Sequence, residues 1–415
     1  MNIFSNNHKA LWLEACQHDR ELKSMTWSSN INFTVDKINT TGSRDSFSIH
    51  FNEHGPQKST NNAAFGIVAS HDDWQSFMQE IPPPSYQHFF GMLMRTESAN
   101  IEGEEQLMMQ NAHIVRRVLD IGREVINNSS PRPQTLTSAG PLPHGSYIAI
   151  ETDSGPINIF YEVAGQGKDV LLLHTAGADS RQYHDLMRMS QLTNHYRLIA
   201  FDLPGHGRSD PWPGIMPGEW QLSTERYIQI ILAVQEALSL QRPVLSGSSM
   251  GGAICLQIAY QAADRFHGVI ACEASDYIPG RKIAWAKHSQ VNQSLFVPEW
   301  IYGLISPYSP DIYRRRIWWG YSQGGYATFA GDIDFYSGEW DGRQRMSKID
   351  TQRCSVVMMT GEYDYSCTPA MSEATANKIP GALYWTMPKL GHFPMAENPP
   401  YFAEHFLKAL QEMDA

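Results

Sequence analysis

From Tyr147 to the C-terminus, the sequence alternates short apolar runs with stretches of helical periodicity. The apolar runs at 169–174, 196–201 and 268–272 are each followed by residues in which apolar side chains recur at intervals of three or four positions, or by turn-forming residues. A short apolar run between helical stretches is typical of a strand that is buried on both faces. The alternation therefore predicts a mostly parallel central sheet with helices on both faces.

A sharp turn with a serine at its centre interrupts this alternation at one point. Gly247-Ser-Ser-Met-Gly251 lies between a predicted strand at 243–246 and a predicted helix at 250–266. This context is that of a nucleophile elbow, in which a strained turn lifts the central serine above the sheet. Glycines two positions away on either side centre the motif on Ser249, so Ser249 rather than Ser248 is the predicted nucleophile.

A serine hydroxyl needs a general base, and the base needs a carboxylate partner. His392 follows the predicted strand at 382–386, where a base would reach the serine, and is the candidate base. Asp364, on the loop after the predicted strand at 355–359, is the first candidate for the acid. Glu362 on the same loop and Glu273, just after the strand at 268–272, remain alternatives.

The order Ser249, Asp364, His392 resembles that of the α/β-hydrolase superfamily, over residues 146–415. The turn at 202–210 and the acid-bearing turn at 361–369 are also similar to those of the family. The resemblance implies the α/β-hydrolase fold, with a Ser-His-Asp triad and no cofactor. A serine nucleophile excludes the branches of the superfamily that attack with an aspartate.

The oxyanion hole is also implied by the resemblance. His174-Thr-Ala-Gly177 follows the third strand of the predicted domain, where the family forms this hole. By position, the donors are the backbone amides of Ala176 and of Met250, the residue after the nucleophile. Thr175 departs from the usual glycine, which puts the local turn geometry in question.

Residues 276–345 break the alternation after the sixth strand, where the family inserts its lid. Of these 70 residues 15 are aromatic, about twice the 11% of the whole chain. Large rings over a catalytic serine suggest a substrate with apolar or aromatic groups. The rings predicted to contact the substrate are Trp285, Trp318, Trp319 and Tyr321.

The leading hypothesis is a serine hydrolase that cleaves a bulky apolar or aromatic carboxylic ester or lactone through an acyl-enzyme. Two alternatives remain. The run Gly-Ser-Ser-Met-Gly-Gly at 247–252 also resembles hydrolases that break a carbon–carbon bond in a vinylogous diketone. A non-catalytic lipid or small-molecule binding protein is the other, although such a protein has no need of all three triad residues.

The N-terminal part is predicted to be a separate, smaller α+β domain at 1–126, because the proline-rich residues 127–145 have the composition of a linker. Alternating segments at 31–38 and 46–51 predict strands, Ser70 predicts a helix N-cap, and 104–124 predict one long helix. The order resembles the SCP2-like lipid-binding fold, through residues 63–74 and 101–107. That resemblance implies an apolar groove; a packing or dimerisation module, and hence a homodimer, is the alternative.

Charge and composition exclude several other classes. The formal net charge is -11 without a long basic run, which argues against a nucleic-acid partner. No run of 18 apolar residues predicts a membrane span. The five cysteines and 16 histidines are scattered, without metal-ligand spacing or a disulfide framework, so no metal is expected. The start of the chain does not resemble a secretory signal, and we expect a cytoplasmic protein.

Overall fold

The computed structural model describes residues 4–26, 30–39, 41–59, 62–129 and 140–414. The chain forms two compact units. The first comprises Met1–Pro133 together with Ser289–Gly303, and the second comprises Gln134–His288 together with Leu304–Ala415. Most of the predicted linker, residues 130–139, lies outside the described residues. Residues 289–303, which are part of the lid predicted at 276–345, belong to the first unit, and the lid itself stays a prediction.

The first unit is built on a five-stranded sheet. Its strands are β1 (Ile31–Ile38), β2 (Arg44–Asn52), β3 (Gly55–Lys58), β4 (Phe65–Ser70) and β5 (Asn100–Gly103). Their spatial order is β3-β2-β1-β4-β5, in which β1 pairs parallel with β4 and all other pairs are antiparallel. Alternating side chains of β1 and β2, such as Phe33 and Ile49, are fully buried, as the period-two pattern predicts.

Helices cover this sheet. They are Asn6–His18, Arg20–Thr26, His71–Phe77, Phe89–Arg95, Glu105–Gln110, Ala112–Asn127 and Gln293–Tyr302. Ser70 caps the third of these as predicted, since its hydroxyl accepts the Asp73 amide at 3.1 Å. The prediction of a single helix at 104–124 is wrong, because two helices, Glu105–Gln110 and Ala112–Asn127, occupy this segment. Asn111 interrupts it with φ -121° and ψ 18°, and its side chain donates to the Leu107 carbonyl at 2.8 Å, which competes with helical hydrogen bonding.

A buried cluster of charges fixes Gln293–Tyr302 within the first unit. The Glu299 carboxylate is fully buried and lies 2.9 Å from Arg116 Nε and 3.0 Å from His88 Nε2. Burial opposes ionisation of Glu299, but the Arg116 guanidinium outweighs it and the pKa is lowered. Because a buried charge is tolerated only when it is paired, Glu299 and Arg116 depend on each other.

The second unit is built on an eight-stranded sheet, which confirms the predicted fold class. Its strands are β6 (His144–Thr152), β7 (Gly155–Gly165), β8 (Lys168–Leu173), β9 (Tyr196–Phe201), β10 (Val244–Ser248), β11 (Gly268–Cys272), β12 (Ser355–Gly361) and β13 (Leu383–Met387). Their spatial order is β13-β12-β11-β10-β8-β9-β7-β6. β7 pairs antiparallel with both β6 and β9, and all other neighbouring strands of this sheet are parallel. The paired residues Ser248, Cys272 and Met359 bring the carboxyl ends of β10, β11 and β12 to one edge.

The helices of this unit lie in the connections between its strands and after the last strand. They are Ser190–Thr193, Thr224–Ala237, Met250–Gln261, Asp311–Tyr321, Thr328–Asp334, Pro369–Ala376, Pro394–Glu397 and Pro399–Asp414. A short 3-10 turn spans Ser180–Tyr183, and a π-helical turn spans Phe335–Glu339. None of the helices in the described ranges is both long and apolar enough to cross a membrane.

Candidate active site

Ser249 lies in a strained turn between β10 and the helix Met250–Gln261. Its backbone has φ 61° and ψ -121°, a conformation that residues with a side chain rarely adopt. The Ser249 amide donates to the Cys272 carbonyl at 3.0 Å, which holds the turn against the end of β11. The strain therefore persists because neighbouring structure fixes the backbone on both sides.

The glycines around Ser249 are required by close packing of backbone. A Cβ atom on Gly247 would lie 2.5 Å from the backbone of Gly251, and one on Gly252 would lie 2.2 Å from the Cys272 carbonyl oxygen. Either contact is shorter than van der Waals packing allows. The sequence pattern on which we predicted an elbow thus has a steric reason in the structure.

His392 and Asp364 meet as a hydrogen-bonded pair. His392 Nδ1 lies 2.7 Å from Asp364 Oδ2, and both side chains are almost fully buried. Asp364 Oδ1 accepts the amides of Ser366 at 2.7 Å and Cys367 at 3.1 Å, which fixes the carboxylate. A carboxylate on Nδ1 selects the tautomer in which Nε2 is free to accept a proton.

The loop of His392 is attached directly to the nucleophile turn. The Ser248 hydroxyl donates to the His392 carbonyl at 3.1 Å, and the His392 amide donates to the Leu304 carbonyl at 3.1 Å. Ser248 is therefore occupied in holding this loop, which agrees with its rejection as the nucleophile. The structure brings Ser249, His392 and Asp364 to the same edge of the sheet.

The other two candidate acids lie elsewhere on this edge. Glu362 is exposed to solvent and accepts the Lys389 amide at 2.9 Å. Glu273 is fully buried, and its carboxyl oxygens lie 3.0 and 3.2 Å from the Gly361 amide nitrogen. Of the three carboxylates, Asp364 is the one that contacts His392.

Glu397 supports the histidine loop from the following helix. Its carboxylate accepts the amides of Gly391 at 2.6 Å and Ser306 at 2.7 Å, and the Ser309 hydroxyl at 2.8 Å. Burial raises the pKa of Glu397 to about 7 although these donors favour its charged form. Sequence reasoning missed this residue, because nothing in its spacing distinguishes it from an ordinary helical glutamate.

The two amides predicted for the oxyanion hole are available. The neighbouring amides are taken: Thr175 N donates to Gln182 Oε1 at 3.0 Å, and Gly177 N donates to Asp332 Oδ2 at 2.7 Å. Within the described ranges, the amides of Ala176 and Met250 have no hydrogen-bond acceptor. Both residues are buried, so these two N–H groups are suited to bind a developing negative charge.

Of the four rings that we predicted to contact the substrate, Tyr321 lies beside Thr175 and Phe393. Its hydroxyl is hydrogen-bonded to the Thr175 hydroxyl, and its ring packs edge-on against Phe393 at a centroid distance of 5.8 Å. Trp319 is 58% exposed and packs under the Arg181 guanidinium. Trp285 and Trp318 are half-buried, and Trp285 contacts His288.

Tyr336 is a residue whose position the sequence did not predict. It was one of many aromatic side chains in the expected lid, and no spacing rule singled it out. Its hydroxyl interacts with the Ser249 side chain and lies 3.4 Å from the Glu273 carbonyl. Complete burial raises the pKa of this phenol well above its usual value, so the hydroxyl keeps the proton that it donates to the Glu273 carbonyl.

Asp332 connects the loop at 174–177, which we call the oxyanion loop because it contains Ala176, to two other segments. It accepts from Gly177 N, lies 2.8 Å from His206 Nε2, and accepts Trp220 Nε1 at 2.7 Å. Burial alone would lower the pKa of His206 and raise that of Asp332, but their mutual attraction outweighs burial and shifts both in the opposite directions. They form a buried ion pair, which joins the turn at 202–210 to the helix Thr328–Asp334.

The described residues of this site do not form a cluster of metal-ligating side chains. In the ranges that the structure describes, no group of three or more His, Cys, Asp and Glu side chains could hold a metal ion.

A model of the alpha/beta hydrolase family matches residues 170–405, more than half of the chain. Two similar curated proteins are pimeloyl-(acyl-carrier protein) methyl ester esterases. The one from Yersinia enterocolitica is 34% identical over 118 residues, and the one from Aeromonas salmonicida is 34% identical over 120 residues. These matches cover 28% and 29% of this chain, and only 41% and 42% of the relatives' own lengths.

Solved structures show the same fold at lower sequence identity. An esterase from Thermogutta terrifontis superimposes with a TM-score of 0.54 at 22% identity, covering 66% of this chain and 100% of its own. The enol-lactonase from Burkholderia xenovorans LB400 gives a TM-score of 0.54 at 20% identity, covering 65% and 99%. No comparison tests the resemblance of the N-terminal part to the SCP2-like fold, which stays a prediction.

Proposed function

The chain belongs to the alpha/beta hydrolase family, and on that premise we propose that it is a serine hydrolase of carboxylic esters or lactones. The observation that carries this proposal is the pairing of His392 with Asp364 at 2.7 Å on a loop that is hydrogen-bonded to the strained turn of Ser249. A strained serine, a base with a selected tautomer and two unpaired amides are the parts that acyl transfer requires.

In the proposed reaction, Ser249 Oγ attacks the carbonyl carbon while His392 Nε2 takes the hydroxyl proton. The carbonyl oxygen becomes an oxyanion, which accepts hydrogen bonds from the amides of Ala176 and Met250. His392 then returns the proton to the leaving alkoxide, which departs as an alcohol and leaves an acyl-enzyme.

The second half of the reaction repeats these roles with water. His392 takes a proton from water, and the hydroxide attacks the acyl carbonyl carbon. When the bond to Ser249 Oγ breaks, His392 protonates that oxygen and the carboxylic acid is released. For a lactone the alcohol and the acid are the two ends of one product.

A substrate with apolar or aromatic groups is supported by the rings near the histidine. Tyr321 and Phe393 pack against each other, and Phe393 is the immediate neighbour of His392. Apolar walls with a few fixed polar groups are usual for small-molecule sites. The names of two similar proteins, a methyl ester esterase and an enol-lactonase, are consistent with an ester or lactone bond.

A fluorophosphonate label tests the nucleophile, with the adjacent serine as a matched control. Ser249→Ala should abolish labelling and lower kcat by about 10⁴-fold or more while the protein remains folded, because the attacking atom is lost. Ser248→Ala keeps that atom and should still be labelled. Labelling that survives in Ser249→Ala but is lost in Ser248→Ala would place the nucleophile at Ser248.

A panel of substrates tests the bond that is cleaved. Aryl esters and lactones of matched size should be hydrolysed in a Ser249-dependent manner. A vinylogous diketone that is turned over much faster than any ester would favour carbon–carbon bond hydrolysis at the same site. Stable binding of a lipid without turnover or labelling would favour the non-catalytic alternative.

A further inference from the structure

Glu273 lies between the nucleophile turn and the acid loop. The preceding residue, Cys272, accepts the Ser249 amide through its carbonyl, and the Glu273 amide donates to the Met359 carbonyl at 3.0 Å. The Glu273 carboxyl group receives the Gly361 amide, three residues before Asp364. The backbone of Glu273 has φ 51°, a strained value for a residue with a side chain, so its position is held by the structure on both sides.

The groups that face the Glu273 side chain carry no compensating positive charge. Its carboxyl contacts the Asp364 side chain, and the other titratable groups that interact with it are Glu397, Cys272 and Tyr384. Among the described residues, no lysine, arginine or histidine forms an ion pair with Glu273. The pKa of Glu273 is raised well above its usual value by burial first and by Asp364 second.

Two buried carboxyl groups in contact cannot both be ionised, so one of them holds a proton. Asp364 is the better site for the negative charge, because two amides and the His392 ring stabilise it. Glu273 has a single amide donor, from Gly361. The proton therefore belongs on Glu273, and a protonated carboxyl group has one hydrogen to donate.

We propose that Glu273 is a positioning residue that stays protonated at neutral pH and donates a hydrogen bond to the carboxylate of Asp364. This bond adds to the two amides that fix Asp364, and so keeps Asp364 facing His392 Nδ1. The inference rests on the proposed function, since it assigns Asp364 to the triad. Among the described residues, the hydrogen-bond partners of the Glu273 carboxyl are Gly361 and Asp364, so it acts through Asp364.

Two substitutions distinguish the effect of the hydrogen-bond donor at residue 273 from the effect of an uncharged side chain that only fills the space. Glu273→Gln keeps a neutral group of the same shape, with an N–H for Asp364 and a carbonyl for the Gly361 amide. Glu273→Leu removes both. The leucine variant should lose about 10–100-fold in kcat, since a small misplacement of a catalytic group has that effect. The glutamine variant should recover most of that loss.

The pH profile distinguishes positioning from general support of the fold. In Glu273→Leu, Asp364 loses a donor and attracts the His392 proton more strongly. The acidic limb of the kcat/KM profile should therefore move to higher pH in the leucine variant. It should keep its wild-type midpoint in Glu273→Gln.

Two measurements report the proton without relying on catalysis. Infrared spectra of the wild type at neutral pH should contain the C=O stretch of a protonated carboxylic acid that Glu273→Gln lacks and Glu362→Gln retains. The stability of the two proteins should also diverge with pH. An unfolded glutamate releases its proton above its ordinary pKa, so the wild type is destabilised as pH rises and the glutamine variant is not. The Tm of Glu273→Gln minus that of the wild type should increase from about pH 5 to about pH 8.

Each outcome decides the proposal. An infrared band that is unchanged in Glu273→Gln, or a Tm difference that is constant or decreasing with pH, would show that Glu273 is ionised and overturn it. A Glu273→Leu variant with wild-type rate and pH profile would overturn the positioning role. If the leucine variant does not fold, the glutamine spectrum and Tm series still decide. Failure of the proposed function would appear differently, as hydrolysis that does not depend on Ser249 while the infrared band persists.

Discussion

Ser249, His392 and Asp364 each depend on a neighbour that the reaction itself does not use. The Cys272 carbonyl holds the amide of Ser249, Ser248 holds the loop of His392, and two amides hold Asp364. A catalytic group that is fixed in advance does not have to be ordered during the reaction. At the scale of single residues, the proposed site is therefore held by hydrogen bonds to neighbouring backbone and side-chain groups, and not by the three proposed catalytic side chains alone.

Replacing Asp364 by asparagine tests whether its carboxylate orients His392. Asp364→Asn keeps the shape of the side chain but presents an amide that favours the wrong tautomer of His392, so kcat should fall by about 10³–10⁴-fold. The measurement is steady-state hydrolysis of an aryl ester, with circular dichroism to show that the variant is folded. Glu362→Gln, an exposed change on the same loop, serves as the control and should have little effect. The opposite ranking would assign the acid to Glu362.

At the scale of elements, the helix Thr328–Asp334 is attached to the oxyanion loop by one side chain. Asp332 contacts Gly177 on that loop, His206 on the turn at 202–210, and Trp220. All of these partners are buried, so the carboxylate is the point at which three loops are joined. The position of the free amide at Ala176 depends on the hydrogen bond between Gly177 and Asp332, because Gly177 is the next residue along the loop.

Removing the Asp332 carboxylate should destabilise the protein far more than removing a surface carboxylate of the same helix. Asp332→Ala leaves the charge of His206 buried without a partner and should lower the free energy of unfolding by about 3–5 kcal/mol. Asp334 pairs with Lys282 at 2.8 Å in an exposed position, and Asp334→Ala should cost about 0–1 kcal/mol. Urea unfolding at neutral pH measures both. Equal losses in the two variants would contradict a buried ion pair at Asp332.

At the scale of the whole molecule, the residues of the proposed reaction all belong to the second unit. The first unit contains none of them, but it includes Gln293–Tyr302, a helix that the chain reaches from the second unit at residue 289 and leaves at residue 303. Glu299 on this helix is paired with Arg116 and His88. A deletion of the N-terminal residues would therefore leave Glu299 without these partners, which makes point substitutions the cleaner test.

Breaking the Glu299–Arg116 pair should affect stability more than turnover of a small substrate. Arg116→Met leaves a buried carboxylate without its guanidinium and should lower the free energy of unfolding of the first unit by about 3–5 kcal/mol. Arg44→Gln, which breaks an exposed pair with Glu102, is the matched control and should leave the free energy of unfolding nearly unchanged. Hydrogen exchange over residues 289–303 and hydrolysis of a small aryl ester are the measurements. Abolished ester turnover in a folded Arg116→Met protein would show that the first unit contributes to the chemistry.

The sequence by itself determined the features that depend on local order along the chain. Alternating strands and helices predicted the sheet, and the elbow motif placed Ser249, because backbone periodicity and the steric needs of a sharp turn act over a few residues. The order of Ser249, Asp364 and His392 also lies in the sequence. The sequence did not predict that residues 289–303 group with the first unit, because a helix packs where its buried charge finds a partner, and Arg116 is far away along the chain.

Only the tertiary structure decided which of several plausible side chains meet. Asp364, Glu362 and Glu273 all follow strands that end at one edge, and their distances to His392 depend on how the loops turn. The same holds for Asp332, Glu397 and Tyr336, whose roles come from partners between 6 and 155 positions away in the sequence. Burial and contact between distant segments set their charge states, and no periodicity in the sequence encodes those contacts.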